Sequence, residues 1–107
     1  MSKYKAVRTE VDGVVFHSKR EAARYGELQM LRRSGIIHNL AMQVHFGLST
    51  NDPHGQPQRV GEYVADFVYQ TKEGKTVIED CKGFQTPQFK WKARHFELQY
   101  GMRILLT

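Results

Sequence analysis

Two apolar stretches of the sequence each carry an aspartate, a residue that an apolar strand does not readily accommodate. Asp66 lies within the run VADFV, and Asp80 lies within VIEDCKG, two residues before Lys82. Burying an aspartate among apolar neighbours is costly unless a cation pairs with it. If a turn joins the two strands, both carboxylates reach the same edge of a sheet, where oxygen ligands suit Mg²⁺. The pattern therefore predicts a site for Mg²⁺ or Mn²⁺ between Asp66 and Asp80.

Lys82 adds a positive group to this candidate site. Side chains alternate along a strand, so Asp80 and Lys82 share one face, whereas Glu79 and Cys81 share the other. We therefore favour Asp80 over Glu79 as the second acid. Carboxylates, a cation, an activated water and a nearby lysine are the components of phosphodiester hydrolysis. An alternative is that Asp80 and Lys82 form a surface pair on a half-exposed sheet, which would leave Asp66 unexplained.

Secondary-structure signals place these residues in the element order α-β-β-β-α-β. Ser18 and Glu21 have the spacing of a capping box, so the first helix is predicted to begin at Ser18 and to stop at Gly35. A crossover through the second helix should make the last strand parallel to the third. The predicted fold class is therefore α/β, with a mixed sheet flanked by helices. The remaining elements are predicted as strands at about 43–48, 63–69 and 76–82, a helix at about 88–100 and a strand at 102–106.

Two segments are predicted to lie outside the regular elements of this single domain, which spans residues 1–107. Residues 1–10 are predicted to form a polar, basic arm. The stretch 49–61 contains two prolines and two glycines, so we expect a loop there. Asp12 and Gly13 are predicted to form a tight turn between two short extended pieces.

The composition is that of a globular protein with a basic surface. Hydrophobic residues make up 40% of the chain and charged residues 25%, which excludes collagen-like and wholly disordered chains. The 16 lysines and arginines outnumber the 11 acids, and a net charge of +5 is typical of a nucleic-acid partner. No apolar run is long enough to cross a bilayer, so we expect no membrane partner. A single cysteine and an N-terminus without the apolar core of a secretory signal predict the cytoplasm.

Basic residues on the two predicted helices are candidates for contacts with DNA. Lys90 and Arg94 are four residues apart, so they share one flank of the second helix and can meet one run of phosphates. The alternative is that these side chains form a solvated helix face. The full set comprises Lys19, Arg20, Arg24, Lys90, Lys92 and Arg94.

Asp66 followed by the run DCK at 80–82 resembles the signature of the PD-(D/E)XK nuclease superfamily. The minimal core of that restriction-endonuclease-like fold is α-β-β-β-α-β, the order predicted above. More closely, the runs TEVDGVVFHSKREAARYGEL, YVADFVY and VIEDCKGF together resemble a small phage and prophage family of nuclease-like proteins. This resemblance covers nearly the whole chain. Ala65 stands where many superfamily members carry a proline before the first aspartate.

The resemblance implies a metal site formed by Glu21, Asp66 and Asp80. The main-chain carbonyl of Cys81 would be a further ligand, and Lys82 would be the catalytic lysine. Holliday-junction resolvases of this superfamily carry a glutamate on the first helix, and Glu21 matches that position. The alternative for Glu21 is a role in the capping box alone.

The resemblance also implies a function, that of a Mg²⁺- or Mn²⁺-dependent DNA endonuclease without an organic cofactor. We expect it to select branched DNA in phage recombination, repair or packaging, and symmetric cuts in a junction would require a homodimer. Two alternatives stay open: a non-catalytic DNA-binding accessory that keeps the nuclease-like fold, and a nuclease that acts on RNA. Gln43 is predicted either near the metal, where some relatives carry a polar residue, or on the strand surface.

Overall fold

The computed structural model describes residues 8–107 and arranges them as an α/β fold. A short hairpin precedes the core, and the core elements follow in the predicted order α-β-β-β-α-β, so the predicted fold class is confirmed. Residues 1–7 of the predicted arm lie outside the described residues, and its last residues join the hairpin. The elements are β1 (Thr9–Val11), β2 (Val14–Phe16), α1 (Lys19–Arg33), β3 (Ile37–Asn51), β4 (Pro57–Thr71), β5 (Thr76–Asp80), α2 (Pro87–Tyr100) and β6 (Ile104–Leu106).

The larger sheet is mixed, with the strand order β3-β4-β5-β6. β3 pairs with β4 and β4 pairs with β5 in antiparallel fashion, whereas β5 and β6 are parallel. The parallel pair is connected through α2, as the crossover rule predicts. β5 ends at Asp80 rather than at residue 82 as predicted, so Lys82 lies just beyond the sheet.

The predicted cap of the first helix is confirmed, and the second helix has a cap of the same kind. The Ser18 hydroxyl accepts a hydrogen bond from the Glu21 backbone N–H at 3.1 Å, and the Thr86 hydroxyl caps α2 in the same way. Gly101 ends α2 in the left-handed conformation, with φ of 68°, which glycine adopts without steric cost. Neither helix within residues 8–107 is long and apolar enough to cross a membrane.

The predicted turn at Asp12 and Gly13 is confirmed. Both residues have positive φ, 52° and 77°, which is the backbone of a two-residue type I′ hairpin loop. The turn pairs β1 with β2 in a separate two-stranded sheet that packs against α1.

Two clusters of buried side chains support the site. The first lies between the hairpin, α1 and the sheet, and includes Phe16, Leu28 and Phe67. The second lies beneath α2, and includes Tyr63 and Phe96. A fully buried leucine or phenylalanine contributes about 2 kcal/mol, so both clusters hold the helices firmly against the sheet.

The predicted loop at 49–61 is wrong, because β3 and β4 continue into it. Thr50 pairs with Gln58 and Asn51 with Pro57, leaving only a tight turn between the strands. The Asp52 carboxylate accepts backbone N–H groups at 2.8 and 2.9 Å and thereby closes this turn. Proline at the first position of a strand sacrifices no essential ladder bond, so Pro57 does not prevent pairing.

β3 also begins earlier than predicted, at Ile37 rather than near residue 43. Its first half contains two non-glycine residues with positive φ, Asn39 and Gln43, and its pairing with β4 shifts register between His38 and Ala41. These irregularities interrupt the alternation by which a strand is recognised in a sequence.

Candidate functional site

The sheet is irregular where Asp66 lies. Met42 pairs with Phe67 and Val44 pairs with Ala65, while Gln43, opposite Asp66, has a left-handed backbone with φ of 51°. Ala65 packs in the cluster beneath α2, but Phe67, only two residues later, packs in the cluster against α1. The normal alternation of side chains therefore breaks at Asp66. A glutamine in this conformation costs about 1–3 kcal/mol, and such strain clusters at functional sites.

Gln43 connects two of the predicted acids. Its Nε2 donates to Glu21 Oε1 at 3.2 Å and to Asp66 Oδ1 at 3.3 Å. Glu21 caps α1 only through its backbone N–H, so its carboxylate is available to the site. Burial, followed by the negative charge of Asp66, raises the pKa of Glu21, while Lys82 and Gln43 oppose that rise. The predicted pairing of Glu21 with Asp66 is thus present in the fold.

Asp66 also reaches the end of β5. Its Oδ2 accepts a hydrogen bond from the Cys81 backbone N–H at 2.8 Å. This bond holds the Asp66 carboxylate next to the residue that follows Asp80. Asp66 and Asp80 therefore lie close together, as predicted for acids on two strands that a turn connects. The Cys81 thiol lies 3.2 Å from the Thr107 hydroxyl, and the role of the Cys81 carbonyl as a ligand stays a prediction.

Asp80 is almost completely buried, with 1% of its surface exposed. Tyr63 Oη donates to its Oδ2 at 2.7 Å, whereas its Oδ1 has no hydrogen-bond partner among the described residues. Burial, followed by the neighbouring Asp66 carboxylate, raises the pKa of Asp80 to about 7, against the opposing effects of Tyr63 and Lys82. A buried oxygen without a hydrogen bond requires an explanation, and a hard cation bound at Oδ1 would provide one.

Lys82 lies beside that oxygen, with Nζ 3.4 Å from Asp80 Oδ1. The same ammonium stands 4.7 Å from the centre of the Phe89 ring, in a cation–π contact. Its side chain is one-third exposed and lines a cleft of about 280 Å³ together with Asp80, Tyr63 and Lys92. Lys82 is thus accessible to a ligand that enters the cleft, as the shared face with Asp80 predicted.

Glu79, the competing acid, is engaged on the opposite face. Arg24 donates to its two carboxylate oxygens at 2.5 and 3.2 Å, and Tyr69 and Thr107 donate at 2.6 and 2.9 Å. Burial opposes ionisation, but the hydrogen bonds from Arg24, Tyr69 and Thr107 outweigh it and lower the pKa of Glu79. Every strong acceptor position of Glu79 is therefore used, which supports the choice of Asp80 for the site.

The six residues predicted to contact DNA have different surroundings on α1 and α2. Arg24 is held by Glu79 and Glu27, so its guanidinium has a structural role, and its predicted contact with DNA stays a prediction. Arg20 donates to the Thr107 carbonyl at 3.1 Å, and Lys19 is exposed nearby on α1.

The three basic residues of α2 lie along two clefts. Lys92 lines the same cleft as Lys82. Lys90 and Arg94 line a neighbouring cleft of about 270 Å³ between α2 and β6, so the flank predicted from their spacing is present. These positions keep the α2 residues as candidates for contacts with phosphates.

The carboxylates of Glu21, Asp66 and Asp80 lie near one another in pairs, but the three do not surround one common point. Within the part of the chain that the structure describes, no group of three His, Cys, Asp or Glu side chains lies close enough together to hold a metal ion. Glu21 and Asp66 are bridged by Gln43, and Asp80 is a neighbour of Asp66. The three carboxylates, which include the buried Oδ1 of Asp80, nevertheless supply the oxygen donors that a hard divalent cation prefers.

Tyr63 belongs to this site and was missed by the sequence reasoning. Tyr63 is the first residue of the strand predicted at 63–69, where a tyrosine is typical of a core position. Nothing in the neighbouring sequence indicates that its hydroxyl has a hydrogen-bond partner. Only the fold brings its hydroxyl to Asp80, seventeen residues later.

The fold and the site define an α/β protein with buried and half-buried carboxylates and one lysine near the break of a mixed sheet. Over residues 1–106 the chain matches the family described as Protein of unknown function (DUF1064), and it belongs to that family. No curated protein and no solved structure matches the chain.

Proposed function

We propose that the protein is a Mg²⁺- or Mn²⁺-dependent DNA endonuclease of the PD-(D/E)XK superfamily. The observation that carries the proposal is the buried Oδ1 of Asp80, which has no hydrogen-bond partner within residues 8–107 and lies beside both Asp66 and the Lys82 ammonium. The core order α-β-β-β-α-β and the resemblance of the motifs point to the same superfamily. A surface pair of Asp80 and Lys82 is a weaker interpretation, because Asp80 is buried.

Glu21, Asp66 and Asp80 are the residues that would hold the cation, with the Cys81 carbonyl as a further donor. When bound, a divalent cation lowers the pKa of a coordinated water and offsets charge on a phosphate. Lys82 places a fixed positive charge at the mouth of the same cleft, where it can hold a phosphate oxygen and stabilise charge that develops during cleavage. The Phe89 ring holds that ammonium in position.

The basic residues around the site suit a polyanionic substrate. Lys82 and Lys92 share the cleft with Asp80, and Lys90 and Arg94 extend positive charge along α2. Lys19 and Arg20 lie on the first turn of α1, next to Glu21. Six of the 16 lysines and arginines therefore lie around the proposed site, which supports a polyanionic substrate.

For the biological setting we propose cleavage of branched DNA in the cytoplasm, in phage recombination, repair or packaging, with a homodimer making paired cuts. This part of the proposal rests on the resemblance of the motifs to junction-cleaving members of the superfamily.

The experiment is incubation of the purified chain with linear, nicked, single-stranded and four-way-junction DNA, with and without Mg²⁺ or Mn²⁺. We expect metal-dependent cleavage that is lost in Asp66→Ala, Asp80→Ala and Lys82→Ala. Glu73→Ala, at an exposed acid in the turn between β4 and β5, is the control and should cleave normally. Full cleavage by a folded Asp80→Ala protein would contradict the assignment.

A second candidate is a non-catalytic DNA-binding protein that retains the nuclease-like fold. It is favoured by the absence, within residues 8–107, of three side chains already arranged around a cation position. This candidate predicts DNA binding that needs no divalent ion and that weakens steeply with salt. An RNA duplex and hairpin of matched shape, run in the same assay, would reveal a nuclease that acts on RNA.

A further inference from the structure

We infer that Tyr63 is a positioning residue, whose hydroxyl holds the Asp80 carboxylate so that Oδ1 is left for a cation. This inference rests on the proposed function and adds a residue that the metal-site motif does not contain. It follows from the contacts of the two side chains, and from the different surroundings of the two carboxylate oxygens.

The two oxygens of Asp80 are held unequally. Oδ2 accepts the Tyr63 hydroxyl at 2.7 Å, whereas Oδ1 has no hydrogen-bond partner in the described part of the chain and lies 3.4 Å from Lys82 Nζ. The terminal torsion of an aspartate is soft and roughly two-fold. A strong donor on one oxygen is therefore what selects the orientation of the group, since an O–H···carboxylate bond is short and charge-assisted.

The Tyr63 ring cannot easily move away from Asp80. Tyr63 is 2% exposed, and its ring lies 5.0 Å from that of Phe96, 6.3 Å from Phe46 and 6.4 Å from Phe89, centre to centre. Such aromatic contacts fix both the position and the tilt of the ring. The hydroxyl is thus presented from a rigid wall built by β3, β4 and α2.

Phe89 links the two functional side chains of this cleft. The centre of the Phe89 ring lies 6.4 Å from the centre of the Tyr63 ring and 4.7 Å from Lys82 Nζ. The packing that holds the Tyr63 hydroxyl against Oδ2 therefore also holds the ammonium near Oδ1. Asp80 is oriented between these two supports.

The chain offers a matched control in Tyr69. It lies on the same strand, is 6% exposed, and donates its hydroxyl at 2.6 Å to Oε2 of the buried Glu79. Removing either hydroxyl takes one buried O–H···carboxylate bond from the protein. Only Tyr63 contacts the proposed ligand, so a general loss of stability would affect both variants.

The experiment compares Mn²⁺ binding, measured by electron paramagnetic resonance, in the wild-type chain, Tyr63→Phe, Tyr69→Phe and Asp80→Asn. We expect Tyr63→Phe to weaken Mn²⁺ binding about tenfold, while Tyr69→Phe binds as the wild type does. In the cleavage assay, kcat of Tyr63→Phe should fall at low Mn²⁺ and recover at saturating Mn²⁺, with KM for DNA unchanged. Equal Mn²⁺ affinity in the two tyrosine variants would overturn the inference.

The outcomes also separate this inference from the proposed function. If the wild-type chain binds no Mn²⁺, or binds it as Asp80→Asn does, the proposed metal site itself is wrong. If Tyr63→Phe does not fold, Phe89→Leu provides the second test, because it loosens the ring and keeps the hydroxyl. We expect Phe89→Leu to weaken Mn²⁺ binding several-fold, and unchanged binding in a folded Phe89→Leu protein would contradict the positioning role.

Discussion

Arg24 and Glu79 form a two-point ion pair that ties α1 to β5 directly behind the candidate site. Arg24 donates to both oxygens of a carboxylate that is completely buried. The pair lies on the face of β5 opposite Asp80, so it anchors the strand that carries the acid without entering the cleft.

Removal of Arg24 should destabilise the fold. Arg24→Ala would leave Glu79 buried without its cation, and breaking a buried pair in this way costs about 3 kcal/mol. Urea denaturation at pH 7 measures the loss. Glu27→Ala is the control, because Glu27 pairs with the same arginine but is 63% exposed and should change stability by no more than about 0.5 kcal/mol. Equal stability of both variants would contradict the anchoring role.

Acidification should remove the stabilisation that Glu79 provides. The folded chain holds the pKa of Glu79 below its ordinary value of 4.5, so the unfolded state binds the proton more readily. This stabilisation is therefore present above pH 4.5 and is lost as the pH falls through the folded pKa. Melting temperatures between pH 7 and pH 3 should fall more steeply for the wild type than for Glu79→Gln. A parallel fall in both proteins would contradict the prediction.

Neutralising Asp80 should stabilise the metal-free protein while abolishing cleavage. Its pKa, about 7 in the folded chain, lies above the ordinary 3.8, so the folded state binds the proton more tightly. The stability that this proton provides is present at pH 4 and is lost as the pH rises through 7. At pH 8, Asp80→Asn should therefore raise the free energy of unfolding by a few kcal/mol, with little difference at pH 4. Thermal melts in EDTA at both pH values check this, and a destabilised Asp80→Asn protein at pH 8 would refute it.

Lys82 should matter for cleavage far more than for folding. Its side chain is one-third exposed, and its pairing with Asp80 competes with solvent. Lys82→Met should lower kcat by about 10²- to 10³-fold, the range typical for loss of one group that stabilises the reacting charge. Lys75→Met, at an exposed lysine preceding β5, is the control for charge alone and should cleave normally. An active Lys82→Met protein would exclude the catalytic role.

The backbone strain at Gln43 is measurable by comparing two substitutions. Both Gln43→Gly and Gln43→Ala remove the amide that bridges Glu21 and Asp66, but only alanine retains the cost of a left-handed backbone. Gln43→Gly should therefore be more stable than Gln43→Ala by about 1 kcal/mol in urea denaturation. If Gln43→Ala were as stable as Gln43→Gly, the left-handed conformation at this position would be wrong.

Much of the architecture was predictable because it depends on local signals. The cap at Ser18, the turn at Asp12 and the stop at Gly35 each depend on residues within a few positions of one another. Strand alternation predicted that Lys82 lies on the same side as Asp80, and it does lie beside Asp80 although β5 ends before it. The hairpin tip at 52–56 was not predictable, since prolines and glycines indicate a loop unless a side chain such as Asp52 closes a tight turn.

What the sequence by itself determined is the order of elements, the strand phase of the acids and the residue types available for chemistry. Only the tertiary structure decided which charges are paired. Arg24 pairs with Glu79, and Tyr63 pairs with Asp80, through contacts that span 55 and 17 residues. Such contacts depend on register, twist and helix placement, which no local pattern encodes. The break at Gln43 likewise depends on two strands being held together, because an isolated strand would relax to ordinary extended backbone.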